Sequence, residues 1–181
     1  MNEISIEQLQ SQLAELEKRN QQLQEENNLM ALNDEYGCYT RIGFVRKVWP
    51  KIMSEVKWIV YFDVDEMGKL NEKYTHAVVN ALIKSCLSLR ASDYVTGQRY
   101  SGDEFFICIT DNPKHNKSNP IEFCMRLIAT MRQNGFSATF AIAPVISDVL
   151  EENLEPAVRL VEEAKATNNR GSISIVPGEP R

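Results

Sequence analysis

The sequence predicts an α/β domain of three layers, a central and mostly antiparallel sheet flanked by helices, carried behind a separate coiled-coil helix. Three observations lead there. Apolar runs of strand length, Lys57–Asp65, Phe105–Thr110, Ser137–Val145 and Ser172–Val176, alternate with stretches of helical periodicity. Two strand-like runs, Asp93–Tyr100 and Phe105–Thr110, lie on either side of a tight Ser101-Gly102 turn, which reads as an antiparallel hairpin. The first thirty residues repeat apolar positions every three and four residues, with no Gly or Pro.

In that opening segment Ile6, Leu9, Leu13, Leu16, Asn20, Leu23, Asn27 and Met30 form an a/d seam, with both asparagines at a. Asparagine at a weakens a coiled coil but favours two parallel strands in register, because each amide can bond its partner's amide. We therefore expect residues 1–32 to pair two copies of the chain. Asn33-Asp34 and Gly37 then end the helix, and residues 33–181 form one globular domain. Arg41–Glu55 reads as a helix with Ile42, Phe44, Val45, Val48, Trp49 and Ile52 inward, divided or kinked at Pro50. The Lys57–Asp65 strand leads into a short helix around Glu66–Tyr74. A longer helix, His76–Leu89, turns Val78, Val79, Leu82, Ile83, Cys86 and Leu89 inward. After the hairpin, Asp111–Pro120 is a turn-rich loop, Ile121–Gln133 and Glu155–Ala166 read as helices, and Ser137–Val145 and Ser172–Val176 as strands.

Composition narrows the function. At 181 residues and 43% hydrophobic content there is one ordinary core to bury. A net charge of −5 argues against electrostatic binding of nucleic acid or an anionic membrane. No apolar run could span a bilayer and no signal-peptide pattern opens the sequence, so a cytoplasmic protein is expected. The four cysteines are scattered and there are only two histidines, which points to buried thiols rather than a zinc site.

The chemistry concentrates where two strands meet acids. Asp63-Val-Asp65 ends a strand that reads as buried and central, and Asp103-Glu104 follow the hairpin turn. Adjacent carboxylates repel, so such a corner is costly without a cation. Oxygen donors of this kind suit Mg²⁺, which completes its shell with water and phosphate, and the chemistry suggested is phosphoryl or nucleotidyl transfer.

Four segments in order resemble the GGDEF family of diguanylate cyclases. Ser101-Gly-Asp-Glu-Phe105 resembles its signature, with Ser in the first glycine position, and Asp63-Val-Asp-Glu-Met-Gly-Lys-Leu-Asn71 is similar to D-x-D-x-F-K-x-x-N. Asn33–Phe44 is similar to the opening D-x-L-T-G-L-x-N-R-x-x-F, and Ala164-Lys165 with Asn169-Arg170 to the closing A-K-x-x-G-R-N. The resemblance implies a palm-type nucleotidyl cyclase fold that condenses two GTP into cyclic di-GMP across a homodimer, using Mg²⁺ or Mn²⁺. It places the metal on Asp63, Asp103, the Val64 carbonyl and Glu104, with Glu104 also assisting deprotonation. It gives the phosphates to backbone at Glu66, Met67, Gly68, Ser101 and Gly102 and to Arg99, Lys165 and either Asn169 or Arg170. The base goes to Asn71 and Asn80.

The chain also departs from the family at Gly68, at Thr75 and Val79, both glycines in the family, and at Asn80. Gly68 stands where the family has Lys. Asn80 replaces the guanine-reading Asp, so an adenine-containing product, with ATP as a substrate, stays open beside GTP, as does a degenerate module that only binds or dimerises. Arg90-Ala-Ser-Asp93 has the family's inhibitory R-x-x-D pattern, displaced by two residues from Arg99.

Overall fold

A computed structural model describes residues 6–29, 32–33, 36–88, 95–98, 102–110 and 119–181. Helix α1 (Ile6–Leu29) is followed by two short strands, β1 (Leu32–Asn33) and β2 (Cys38–Tyr39). A helical segment of three parts comes next: α2 (Arg41–Gly43), a π turn (Phe44–Val48) and α3 (Trp49–Ile52). Then come β3 (Val56–Val64), α4 (Met67–Lys73), α5 (His76–Ser88), β4 (Val95–Gln98) and β5 (Glu104–Thr110). The chain closes with α6 (Pro120–Gln133), β6 (Ala138–Pro144), α7 (Leu150–Ala166) and β7 (Ile173–Ile175).

The strands order as β1-β2-β4-β5-β3-β6-β7. β3 is central, antiparallel to both β5 and β6, and β4 pairs antiparallel with β5 as the hairpin. Only β2–β4 and β6–β7 run parallel among the described strands. The three-layer α/β expectation is borne out. One face buries Phe62, Phe105 and Phe140 against Val79, Ile83 and Cys86 of α5 and Phe123, Leu127 and Met131 of α6. The other buries Tyr61, Phe106 and Ala141 against Phe44 and Trp49 and against Leu154, Val158 and Val161 of α7.

Three local readings need correcting. Pro50, lacking an N–H, is accommodated by the π turn before it, where Trp49 N–H bonds the Phe44 carbonyl; Phe44, Val48 and Trp49 face the core while Ile42 and Val45 are exposed. In α5 the buried side chains are Val79, Ile83, Cys86 and Leu87, which leaves Val78 outside, while Leu89 lies outside the described residues. Helix α7 begins five residues before Glu155. Asn153, fully buried, accepts from the Ile146 and Ser147 amides and donates to the Ser147 and Val149 carbonyls, so the first turn forms ahead of Pro156.

The described apolar side chains of helix α1 are not turned to the domain. Ile6, Leu9, Leu13, Leu16 and Leu23 are 50–74% exposed along it. No helix among the described residues is long and apolar enough to cross a membrane.

Candidate active site

The end of β3 and the start of β5 bring the acids together. In the antiparallel register Asp63 lies opposite Glu104, and one step further Val64 N–H donates to the Asp103 carbonyl at 2.9 Å. Glu104 and Asp103 thus share a corner with Asp63. Burial pushes the Asp63 carboxyl above its usual range, Lys165 pulls it back, and the charges of Asp103 and Glu104 push it up again.

Lys165, near the end of α7, reaches this corner. Its Nζ is 2.5 Å from Asp63 Oδ1 and 3.4 Å from the Val64 carbonyl, with both side chains about four-fifths buried. The ammonium therefore sits on two of the four groups expected to bind a metal. The expected donors, three carboxylates and a carbonyl, suit a hard divalent cation, and the lysine shows that the corner draws positive charge. Among the described residues no three His, Cys, Asp or Glu side chains are gathered where they could hold one metal ion. An open, water-completed site is what such a donor set would form.

Asp65 follows β3 directly. It is buried, and the Thr139 and Ser137 hydroxyls donate to its two oxygens at 2.7 and 2.8 Å, so it ties the end of β3 to β6. Glu66 is the residue that enters α4, in the left-handed region at φ 53°. Its side chain accepts from Lys69 at 2.6 Å and from Arg170 at 2.9 Å, and Lys69 above all, with Arg170, holds its carboxyl below the usual range. Sequence reading assigned Glu66 a backbone role; its carboxylate gathers two cations beside the Met67-Gly68 turn.

Next to the acids an open pocket of ≈ 450 Å³ is lined by Tyr36, Met67, Asn71, His76, Asn80, Gly102 and Asp103. Asn71 and Asn80, nine residues apart on α4 and α5, thus reach one space. Asn71 Oδ1 is buried without a hydrogen-bond partner, an acceptor waiting for a donor. His76 begins α5; the capping contact there comes from Thr75, whose carbonyl and hydroxyl take the Val78 N–H.

Tyr36 is the residue that sequence reasoning missed. It is buried, packs edge-on against Phe105 at 5.2 Å, and donates its hydroxyl to Asn80 Oδ1 at 3.0 Å. A Cβ at Gly102 would lie 2.6 Å from that hydroxyl, so Gly102 is where the backbone passes the tyrosine. Tyr36 falls within the segment similar to the family's opening motif, at its Thr position, but that match gives it no role, and its partners are 44 and 66 or more residues away. A larger groove of ≈ 710 Å³, around Trp58, Ile109 and Ile175 at the other end of β3, has no Asp or Glu among its described lining residues. Arg90, Asp93, Arg99 and Ser101 lie outside the described residues. Asn169 contributes its N–H to the Ala164 carbonyl, closing α7.

No family model matches the chain. A curated relative, the biofilm architecture maintenance protein MbaA of Vibrio cholerae, is 29% identical over 102 residues, 51% of this chain. The match takes in 13% of that protein, so the chain spans a small part of its length. Solved structures match over most of the chain. The coiled coil and GGDEF domain of DgcB from Caulobacter crescentus, in complex with c-di-GMP, aligns with TM-score 0.63 at 14% identity, covering 93% of this chain and 97% of that one. The diguanylate cyclase SiaD from Pseudomonas aeruginosa, solved with its activator SiaC, aligns with TM-score 0.63 at 16% identity, covering 94% and 74%. A microbial GGDEF domain solved with cyclic di-GMP reaches TM-score 0.65 at 12% identity, covering 82% and 98%. These likenesses define the class: the chain has the GGDEF-domain fold. The resemblance carried by its four ordered motifs is borne out at that level.

Proposed function

We propose that this chain is a cyclic-dinucleotide synthase of the diguanylate cyclase type, joining two nucleoside triphosphates with release of pyrophosphate. The observation that carries the reading is the corner where Asp63 and Glu104 stand opposite each other beside the pocket of Asn71 and Asn80. Asp63, Asp103 and the Val64 carbonyl would hold Mg²⁺ or Mn²⁺, with Glu104 a second acid at the same edge. Bound there, the metal supplies charge neutralisation at the transferring phosphate and acidifies the attacking hydroxyl.

The chain's own residues do the positioning. Asn71 and Asn80 hold a purine, while Lys165, Arg170 or Asn169, and the backbone from Glu66 to Gly68 face the triphosphate. Arg99, Ser101 and Gly102 would complete its cradle. Each subunit supplies one half-site. The 3′-hydroxyl oxygen of one nucleotide attacks the α-phosphorus of the other, the bond to the β-phosphate breaks, and Glu104 is placed to accept the hydroxyl proton. Two such steps close the ring. The exposed apolar stripe of α1 supports pairing of residues 1–32 with a second copy in parallel, which brings the domains of residues 33–181 face to face. GTP is the substrate the fold class implies, and the cytoplasm the compartment. Asn80 favours a second reading with adenine in one or both nucleotides. In a third, the domain binds nucleotide or dimerises without turnover; the retained acids weigh against it. Arg90 and Asp93 are candidates for a displaced inhibitory site.

Incubating the full chain with Mg²⁺ and ATP, GTP or both, then identifying products by mass, tests the reading. We expect a cyclic dinucleotide from the wild type and none from Asp63→Asn or Asp103→Asn, both still dimeric. Substantial turnover in either variant, or no cyclic product from the wild type, defeats it.

A further inference from the structure

We propose that Thr139 is a positioning residue for the phosphate grip, its buried hydroxyl fixing the loop that carries Arg170 against the turn at Glu66–Gly68. This rests on the triphosphate lying between that loop and that turn, as proposed above, and adds to the site a residue that acts only through others.

Thr139 is fully buried in β6, opposite Asp63 in the antiparallel register, so its side chain shares a face of the sheet with that acid. A hydroxyl has one proton to give, and its neighbours decide where it goes. The Gly171 amide, 3.2 Å away, can only donate, so the threonine oxygen accepts there and its proton goes to Asp65 Oδ1 at 2.7 Å. Asp65 is held in turn. The Ser137 hydroxyl donates to its other oxygen at 2.8 Å, and its own N–H donates to the Ser137 carbonyl at 2.8 Å. The relay from the Gly171 N–H through Thr139 to Asp65 therefore runs in one direction only.

Each end of the relay belongs to one side of the expected phosphate site. Asp65 precedes Glu66, the left-handed residue that turns the chain into α4. Gly171 follows Arg170, whose guanidinium reaches Glu66 Oε1 at 2.9 Å. The loop between α7 and β7 needs such a tie. Asn168 and Gly171 both lie in the left-handed region, at φ 56° and 69°, so no regular ladder sets its course. The Asn169 N–H closes its first part on α7, and the Ser172 carbonyl takes the Phe140 N–H of β6 beyond it. Between these, the Gly171 amide bonds Thr139 one residue past the arginine. The Arg170–Glu66 pair cannot do the same work, because both side chains are more than two-fifths exposed and such pairs hold weakly. The buried hydroxyl is the firmer anchor, and an amide left without it would let the loop drift from the turn.

The test is titration calorimetry on the full chain in Mg²⁺ with the α,β-methylene analogues of ATP and GTP, which cannot be cleaved at the reacting bond. The analogue that the wild type binds more tightly is then carried through the variants. Thr139→Val keeps the shape of the side chain, removes the hydroxyl and should weaken binding by about three- to tenfold, the worth of one hydrogen bond. Thr139→Ser should bind within about twofold of the wild type yet melt at a lower temperature, because it keeps the relay and loses a buried methyl group. In an Arg170→Met background, itself weaker than the wild type, Thr139→Val should change affinity by less than about twofold, since the group that the relay places is gone. If Thr139→Val does not fold, Thr139→Cys replaces it with the same expectations, sulfur being a poor acceptor for an N–H. Unchanged affinity in Thr139→Val, a loss in Thr139→Ser as large as in Thr139→Val, or an equal loss with and without Arg170 makes Thr139 merely structural and overturns the inference while the nucleotide site stands. Wild-type affinity in Arg170→Met overturns it likewise. If the wild type binds neither analogue, the nucleotide reading itself falls and takes the inference with it.

Discussion

Replacing Lys165 by Met would keep the apolar stem of the side chain and remove the one described cation seated on Asp63. The Asp63 carboxylate is about four-fifths buried, its Oδ1 lies 2.5 Å from the ammonium, and Asp103 and Glu104 add like charge to the same corner. A hydrogen bond to a charged group contributes about 1.5–3 kcal/mol, and stranding one partner of a fully buried pair costs about 3–5 kcal/mol. Partial exposure places this pair near the lower range, about 2 kcal/mol. For a chain of this length 1 kcal/mol corresponds to about 2–4 °C, so Lys165→Met should lower Tm by about 4–8 °C without divalent metal. Calorimetric melting at fixed protein concentration measures it, since pairing of chains makes Tm concentration-dependent. Two further results follow from the same cause. Asp63→Asn in the Lys165→Met background should recover most of the loss, because no orphaned charge remains. Added Mg²⁺ should raise the Tm of Lys165→Met more than that of the wild type, since the vacated oxygens are those the metal would take. A fall of less than 1 °C, or a double variant no more stable than the single one, would refute the idea that Lys165 neutralises this corner.

Gly102→Ala should destabilise the domain by about 1–3 kcal/mol, because its Cβ would lie 2.6 Å from the Tyr36 hydroxyl. Tyr36→Phe should restore most of that stability, and equal melting of the single and double variants would dismiss the clash as the cause. Deleting residues 1–32 should give a folded domain that sediments as a monomer and has lost most of its turnover; a monomer that cyclises at the full rate would overturn the two-subunit mechanism.

What could be read from the chain in advance follows from how local each signal is. The strand to Asp63, the hairpin and the acids at its tip announce themselves in short windows, because period and turn chemistry act over a few neighbours. Helix α7 was misplaced because Pro156 reads as a beginning, whereas the buried Asn153 starts the helix earlier through bonds to a preceding loop. Asp65 looks like a cap by position, and only the sheet reveals that its partners are Ser137 and Thr139. The cation on Asp63 and the tyrosine behind Asn80 come from residues 102 and 44 positions away. No spacing rule reaches that far, and the polar groups they meet are recognisable only once the strands are in register.

That register has a consequence for observing the site. Phe105 and Phe106 follow Glu104 directly and point into opposite cores, the first stacked on Phe62 at 5.4 Å, the second edge-on to Phe44 at 4.7 Å. Sliding β5 by one residue would exchange the two rings between layers and carry Glu104 away from Asp63. The aromatic cluster is thus a gauge of acid alignment that needs no ligand. Ring resonances of Phe62, Phe105 and Phe140, followed by NMR through a set of variants, would distinguish a protein silenced by lost chemistry from one whose acids are no longer in line.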